Sequence, residues 1–228
     1  MYGVFLNTAK MLNFAPIMAD NYLEKRQEEL ARYQKKIVHR SNPSLDSLLH
    51  RNRSYRGFDP AREVTEADLQ TLLSVVPLTA SGMNRQPLRF RLVTSDKAPL
   101  VWPHITLGAA LPEEHLPKPG WEPRAFLIVC STVPEDRVVD MDLGFAAQSI
   151  LLKAVEMGLG GLFILNIRKE ALRQALDLPL SPLAVIAIGK PAERVFLLPV
   201  SGPDEDLAYY RKDGNHYVPK LQGESLLV

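Results

Sequence analysis

Three separated stretches of this sequence carry side chains suited to gripping one flat, anionic, amide-rich ligand. The first, Arg51-Asn52-Arg53-Ser54-Tyr55-Arg56-Gly57-Phe58, gathers guanidinium and hydroxyl groups. Arg and Ser side chains grip a phosphate well, and Arg56 can reach further along the ligand. The second, Thr79 to Pro87, places Ser81, Asn84 and Gln86 on a constrained loop just before a strand, where the amides present both donors and acceptors. The third is discontinuous: Asp142 to Gln148, then Gly158-Leu159-Gly160-Gly161, then Gly189-Lys190-Pro191-Ala192-Glu193. Taken singly they read as a basic surface cluster, a helix-to-strand turn and a helix stop; what is unusual is their order along one chain.

Other chemistries find little support. The glycines at 158, 160 and 161 lack the Gly-Lys-Ser/Thr ending of a phosphate loop and follow a helix, not a strand. The histidines at 39, 50, 104, 115 and 216 show no paired metal spacing, so no metal site is expected. Ser81-Gly82 and Ser201-Gly202 lack the Gly-x-Ser-x-Gly setting of a nucleophile elbow. Asp140 and Asp142 lie near an expected helix start, where carboxylates act as caps. A protein without a conventional catalytic constellation fits a cofactor that carries the chemistry itself.

Composition sets the outer bounds. The 228 residues suffice for a buried core without disulfide or structural metal, and 27 basic against 26 acidic side chains give a net charge of +1, which suggests neither a nucleic-acid nor a membrane partner. The single cysteine, Cys130, sits in an apolar run and reads as a buried structural thiol. No segment is apolar enough to span a bilayer, and the first residues lack the pattern of a signal peptide, so the cytoplasm is the expected compartment.

The elements that must position these residues follow from periodicity. Residues 20–40 are charged and helix-forming, and with their flanks they suggest an N-terminal helical extension over 1–43, ahead of a ligand-binding domain over 44–228. Ser44 caps a short helix, and Thr65-Glu66-Ala67-Asp68 resembles a capping box opening a helix that turns Leu69, Leu72, Leu73 and Val76 inward. Leu88 to Val93 alternates as a strand with one wet face, and Ala125 to Cys130 reads as a buried strand. Between them, Pro103 to Pro123 is a connection long enough to act as a lid or binding loop. A nearly all-apolar helix over Asp142 to Met157 needs cover on most sides, as a second subunit provides. Strands over Leu162 to Leu165 and Leu183 to Gly189, with a short helix over Arg168 to Leu176, complete an α+β layer fold.

In order, these motifs resemble the FMN-dependent nitroreductase family: an Arg-Ser-x-Arg start, a Ser-x-x-Asn-x-Gln-Pro loop before a strand, an apolar helix ending in Gly-Leu-Gly, and a strand ending in Gly-x-Pro-x-Glu. His216-Tyr217-Val218-Pro219-Lys220 is similar to the family's late basic motif, so the resemblance runs from about Leu45 to Lys220. It implies a three-layer α/β/α sandwich with a mainly antiparallel sheet in a domain-swapped homodimer. It also implies FMN as cofactor, NAD(P)H as electron donor and a small organic acceptor of nitroaromatic or quinone type, reduced in a ping-pong cycle. By the same resemblance Arg53 and Ser54 hold the phosphate and ribityl end, and Arg56 lies at the pyrimidine edge, where it stabilises reduced flavin. Ser81, Asn84 and Gln86 contribute across the dimer. Ile164, Leu165 and Asn166 supply backbone facing the ring, and Lys220 completes the phosphate grip.

Three departures stand out. Asn52 and Gln222 replace basic residues common in the family, which leaves Arg51 and Arg211 as possible substitutes for phosphate binding. Phe163-Ile164-Leu165 replaces a Pro-x-Glu-Gly pattern, so acceptor preferences do not transfer. Flavin storage without turnover, and dehalogenation or dehydrogenation on the same scaffold, stay open on the sequence.

Overall fold

The computed structural model describes residues 43–202 and 204–227, together with Lys25 and Glu28. The expected extension and its helix over 20–40 therefore lie, those two residues aside, outside the described residues.

Local signals set the first elements. Helix α1 (Leu45–Arg51) starts where Ser44 Oγ accepts from Ser47 N at 3.2 Å. Helix α2 (Glu66–Leu73) starts with a reciprocal capping box: Thr65 Oγ1 accepts from Asp68 N at 3.2 Å, and Asp68 Oδ2 accepts from Thr65 N at 3.0 Å. It buries Leu69 and Leu72 completely, whereas Val76 falls in the following 3-10 turn and is half-buried.

The main sheet is built from β1 (Leu88–Val93), β2 (Ala125–Ser131), β3 (Gly160–Ile164) and β4 (Pro182–Gly189), in the order β1-β2-β4-β3 and antiparallel throughout. Edge strand β1 alternates between wet and covered residues as its sequence does, while every residue of β2 and β4 is buried. Continuous apolar runs suit strands covered on both faces. One face packs against α2 and α3 (Arg137–Glu156), around Leu69, Leu72, Val139 and Ile150. The other packs against α4 (Lys169–Ala175) and the connection after β1, around Phe58, Val101, Phe126 and Leu172. The result is the expected three-layer α+β arrangement.

Two differences from the sequence reading matter for the site. Helix α3 begins at Arg137, five residues ahead of the expected Asp142, because Asp136 caps it by accepting from Val138 N at 2.9 Å and Val139 N at 2.8 Å. Asp142 is consequently an interior helix residue, 3% exposed, and not a cap. The second difference is a further sheet that was not expected: β5 (Val195–Val200), β6 (Tyr210–Lys212) and β7 (Asn215–Leu221), in the order β5-β7-β6. β5 and β7 run parallel, and β6 and β7 form a hairpin closed by Asp213 and Gly214, both at positive φ.

The connection from Pro103 to Pro123 is a string of tight turns and irregular backbone that covers the segment after α1. Trp121 O accepts from Phe58 N at 3.0 Å, and the Trp121 ring lies so close to Gly57 that a Cβ there would sit 2.6 Å from it.

Candidate functional site

A cleft of about 340 Å³ opens where four parts of the fold converge. Asn52, Arg53, Ser54 and Arg56 come from the segment after α1; Gln148 and Leu151 come from α3, and Gly161 and Phe163 from β3. The second sheet supplies Val195, His216, Val218 and Lys220, with Tyr209 beside them. Alternation along β7 sends His216, Val218 and Lys220 to the cleft side, while Tyr217 stacks outside between Phe196 and Tyr210.

The glycines between α3 and β3 have different jobs. Gly158 ends the helix at φ 75°, the left-handed conformation that helix ends favour. Gly161 brings two chains together: Tyr55 N donates to its carbonyl at 3.1 Å, and a Cβ there would lie 2.4 Å from Ala187 O. That close approach ties the Arg53–Arg56 segment to the edge of the main sheet.

Arg56 is held from several directions. Its backbone N–H and that of Gly57 both donate to Glu193 Oε1, the latter at 3.3 Å. Glu193 Oε2 accepts from Arg211, a pair whose side chains are only 5% and 2% exposed. The Arg56 guanidinium donates to Ser54 O at 3.2 Å, approaches His216 Nε2 at 3.3 Å and lies 5.0 Å from the Tyr209 ring centroid. Burial lowers the pKa of Arg56 and of Arg53, yet a guanidinium stays protonated at neutral pH. His216 is 2% exposed, and burial, reinforced by the positive charges of Arg56 and Arg211, brings its pKa down to about 4. It is therefore neutral.

The lining contains Arg53, Arg56 and Lys220 and no carboxylate. Among the described residues, the buried side-chain nitrogens without a partner are Arg53 Nε, Arg56 Nε, Arg211 Nε, His216 Nδ1 and His104 Nδ1. Three of these belong to side chains lining the cleft, and Arg211 is paired across the second sheet with His216. Buried polar groups are nearly always paired, so a concentration of unpaired nitrogens marks a place for a polar ligand.

Of the residues singled out by sequence, Arg53, Ser54, Arg56 and Lys220 come together in this cleft. Ser81, Asn84 and Gln86 form a second cluster against α3. Ser81 Oγ donates to Asp142 Oδ2 at 2.6 Å, Gly82 N donates to Asp142 Oδ1 at 2.8 Å, and Gln86 Nε2 donates to Asn84 Oδ1 at 2.9 Å. Met83, Asn84 and Gln86 all hold positive φ there and are exposed. Ile164 is buried in the core on the α4 side, while Leu165 and Asn166 are exposed beyond the end of β3. Neither candidate substitute for the missing phosphate-binding basic residues lines the cleft: Arg211 is engaged by Glu193, and Arg51 bonds back to Ser47 O at 3.2 Å.

A model of the nitroreductase family matches residues 49–190, well over half of the chain. The chain belongs to the nitroreductase family. Solved structures share the fold at low identity. A nitroreductase family protein from Clostridium difficile 630 is 18% identical with a TM-score of 0.53, the match covering 66% of this chain and 86% of that one. A Desulfovibrio desulfuricans protein solved in complex with FMN is 23% identical, with a TM-score of 0.54 over 66% and 88% of the two chains. An FMN- and NADPH-dependent nitroreductase from a Sphingopyxis strain is 20% identical, with a TM-score of 0.54 over 66% and 89%. No curated protein matches the chain significantly.

In this nitroreductase-family chain, sequence reasoning passed over Tyr209, Glu193's role as a buried bridge, and the placement of His216. The alternation of His216, Val218 and Lys220 was the signal that could have exposed the last. Among the described residues no cluster of metal-binding side chains occurs, and no helix is long and apolar enough to cross a membrane.

Proposed function

We propose that this chain is an FMN-dependent oxidoreductase that takes electrons from NAD(P)H and passes them to a small organic acceptor, nitroaromatic or quinone in type. The observation that carries this reading is the set of unpaired nitrogens on Arg53, Arg56 and His216 around a cationic cleft that no carboxylate lines. An anionic ligand rich in carbonyl oxygens satisfies both the charge and the missing acceptors. FMN is such a ligand, and when bound it supplies the two-electron chemistry by which a hydride from nicotinamide is passed on to the acceptor.

The residues present then divide the work. Arg53, Ser54 and Lys220 hold the phosphate and ribityl end, with Asn52 as a weaker neutral contact where a basic residue is absent. Arg56, fixed from behind by Glu193, presents fixed positive charge to the ring, which favours its reduced, more anionic form. Phe163 and Val218 give the cleft an apolar wall that excludes water from the ring.

We further propose a homodimer. Leu78 is 82% exposed, Met83 78%, Phe145 49% and Met141 45%, and a groove of about 480 Å³ runs between Leu78 and the Phe145 face of α3. A patch of that character is rarely left in water. The loop bearing Asn84 and Gln86 adjoins it, with both residues exposed and in left-handed backbone, so its amides are read as contributions to the partner's cleft.

The visible spectrum of purified protein titrated with FMN, then exposed anaerobically to NADPH, tests the reading. Binding followed by bleaching is expected; protein that binds no flavin overturns the proposal.

A further inference from the structure

His216 occupies the cleft wall with its ring edge toward Tyr209, the centroids 5.0 Å apart at 63°. Its Nε2 faces Arg56 Nη1 at 3.3 Å. A guanidinium can only donate, so Nε2 must present its lone pair, and the ring's one proton then resides on Nδ1. That Nδ1–H is buried and without a partner, as is the neighbouring Arg56 Nε–H. Two kinds of unsatisfied donor, one charged and one neutral, are thus buried in adjoining side chains of the wall, and among the described residues no acceptor answers either.

We propose that His216 is a cofactor-recognition residue of this cleft: Nδ1–H donates to a carbonyl-type oxygen of the bound ring, while Nε2 holds the Arg56 guanidinium in place. This rests on the FMN reading above and adds to it a donor that carries no charge. His216 thereby reads the acceptor pattern of the ring edge, a task distinct from the charge compensation performed by Arg53, Arg56 and Lys220. The sequence motif around it explains the arrangement, since alternation in β7 places His216 on the same face as Lys220, four residues along, and both reach the one cleft.

The test uses the full chain and FMN as the probe. Long-range proton–nitrogen spectra of the imidazoles should show His216 as the Nδ1–H tautomer before and after FMN is added, with the Nδ1–H signal shifting on binding. His216→Phe keeps a ring against Tyr209 but removes the donor, and should weaken FMN binding roughly three- to tenfold, the loss of one hydrogen bond. His216→Asn, whose amide N–H overlies Nδ1, should recover most of that loss. Wild-type protein should also discriminate FMN from an analogue with a ring carbonyl replaced by thiocarbonyl, and the Phe variant should discriminate less. If wild-type protein takes up no FMN, this assignment and the cofactor reading fall together. If FMN binds but the Nδ1–H signal stays put, or His216→Phe binds FMN and its thio analogue as the wild type does, the His216 assignment fails and the cofactor reading stands. Should the Phe variant not fold, the wild-type spectra and the Asn variant still decide.

Discussion

Ser81 Oγ donates to Asp142 Oδ2 at 2.6 Å, and the other carboxylate oxygen accepts from Gly82 N at 2.8 Å. One carboxylate from the second turn of α3 therefore anchors the start of a loop in which Met83, Asn84 and Gln86 all hold left-handed backbone. Each such non-glycine residue costs about 1–3 kcal/mol, and the shape survives only where surrounding contacts enforce it. Asp142→Ala leaves the Ser81 hydroxyl and Gly82 N–H without their acceptor, and should lower stability by about 2–4 kcal/mol. Asp142→Asn, which keeps one acceptor, should lose less. Urea denaturation compares the two; equal losses would show that the paired acceptors are not what holds the loop.

Glu193 and Arg211 form an ion pair with side chains 2% and 5% exposed, and Glu193 also receives the backbone of Arg56 and Gly57. Removing one member of a buried pair strands the other, typically at about 3–5 kcal/mol. Glu193→Ala should fall in that range and should also weaken FMN binding, because Arg56 loses its anchor. A variant that unfolds at the wild-type urea concentration would refute the bridging role.

Gly161→Ala places a methyl 2.4 Å from the Ala187 carbonyl, a backbone atom that cannot swing aside. The strand would have to separate from β4, so a loss of at least about 2 kcal/mol is expected, with reduced FMN uptake. Gly223, with open space around its Cβ position, serves as the control and should tolerate alanine. Thermal melts of the two variants should differ clearly.

Phe145→Asp tests the proposed pairing of chains. The side chain is 49% exposed on its own chain, so folding should survive the change, whereas a carboxylate at the centre of an apolar interface should dissociate it. Sedimentation should then report monomer, with weaker FMN binding because the partner's amides are gone. Wild-type protein that sediments as a monomer with FMN bound would remove the basis for the pairing.

What was legible in the sequence follows from how local each signal is. Ser44 and Thr65 announced their helices because a cap needs only three or four neighbouring residues, and the runs in β2 and β4 announced buried strands by apolar content alone. Asp142 was misread because Val138 and Val139 at the true start of α3 hid the helix behind β-branched residues, while Asp136 supplied the cap. The second sheet escaped although Asp213-Gly214 is a strong hairpin signal, since β6 has only three residues and the partner of β5 lies 21 positions further along, Val195 against His216. In the site, Arg53, Ser54, Arg56 and Lys220 were legible from ordered motifs. Glu193's bridge to Arg211 and the contact of His216 with Arg56 were not, because both depend on the long-range pairing of β5, β6 and β7.

The same pairing gives the fold a measurable pH dependence. His216 is enclosed by Arg56, Tyr209, Arg211 and, through Arg211, Glu193. Burial first, then the two guanidiniums, hold its pKa at about 4 against an ordinary 6.5, with Glu193 opposing them weakly. In the unfolded chain the imidazole takes up a proton near pH 6.5; in the folded chain it stays neutral until about 4. Between those values the unfolded state binds more protons, so the stability His216 supports is complete above pH 6.5 and declines as pH falls toward 4. For a single proton the slope cannot exceed about 1.4 kcal/mol per pH unit. Carboxylates held low by their partners, such as Asp136 through Val139 N and Arg85, and Glu170 through Arg173, act in a separate window, their contribution lost only as pH falls below the ordinary carboxylate range. His216→Phe should therefore flatten the decline between pH 6.5 and 4 and leave the acid-side drop intact. Urea midpoints at pH 7, 5.5, 4.5 and 3 for both proteins measure this, and parallel curves across the upper window would show that His216 is not the titrating group.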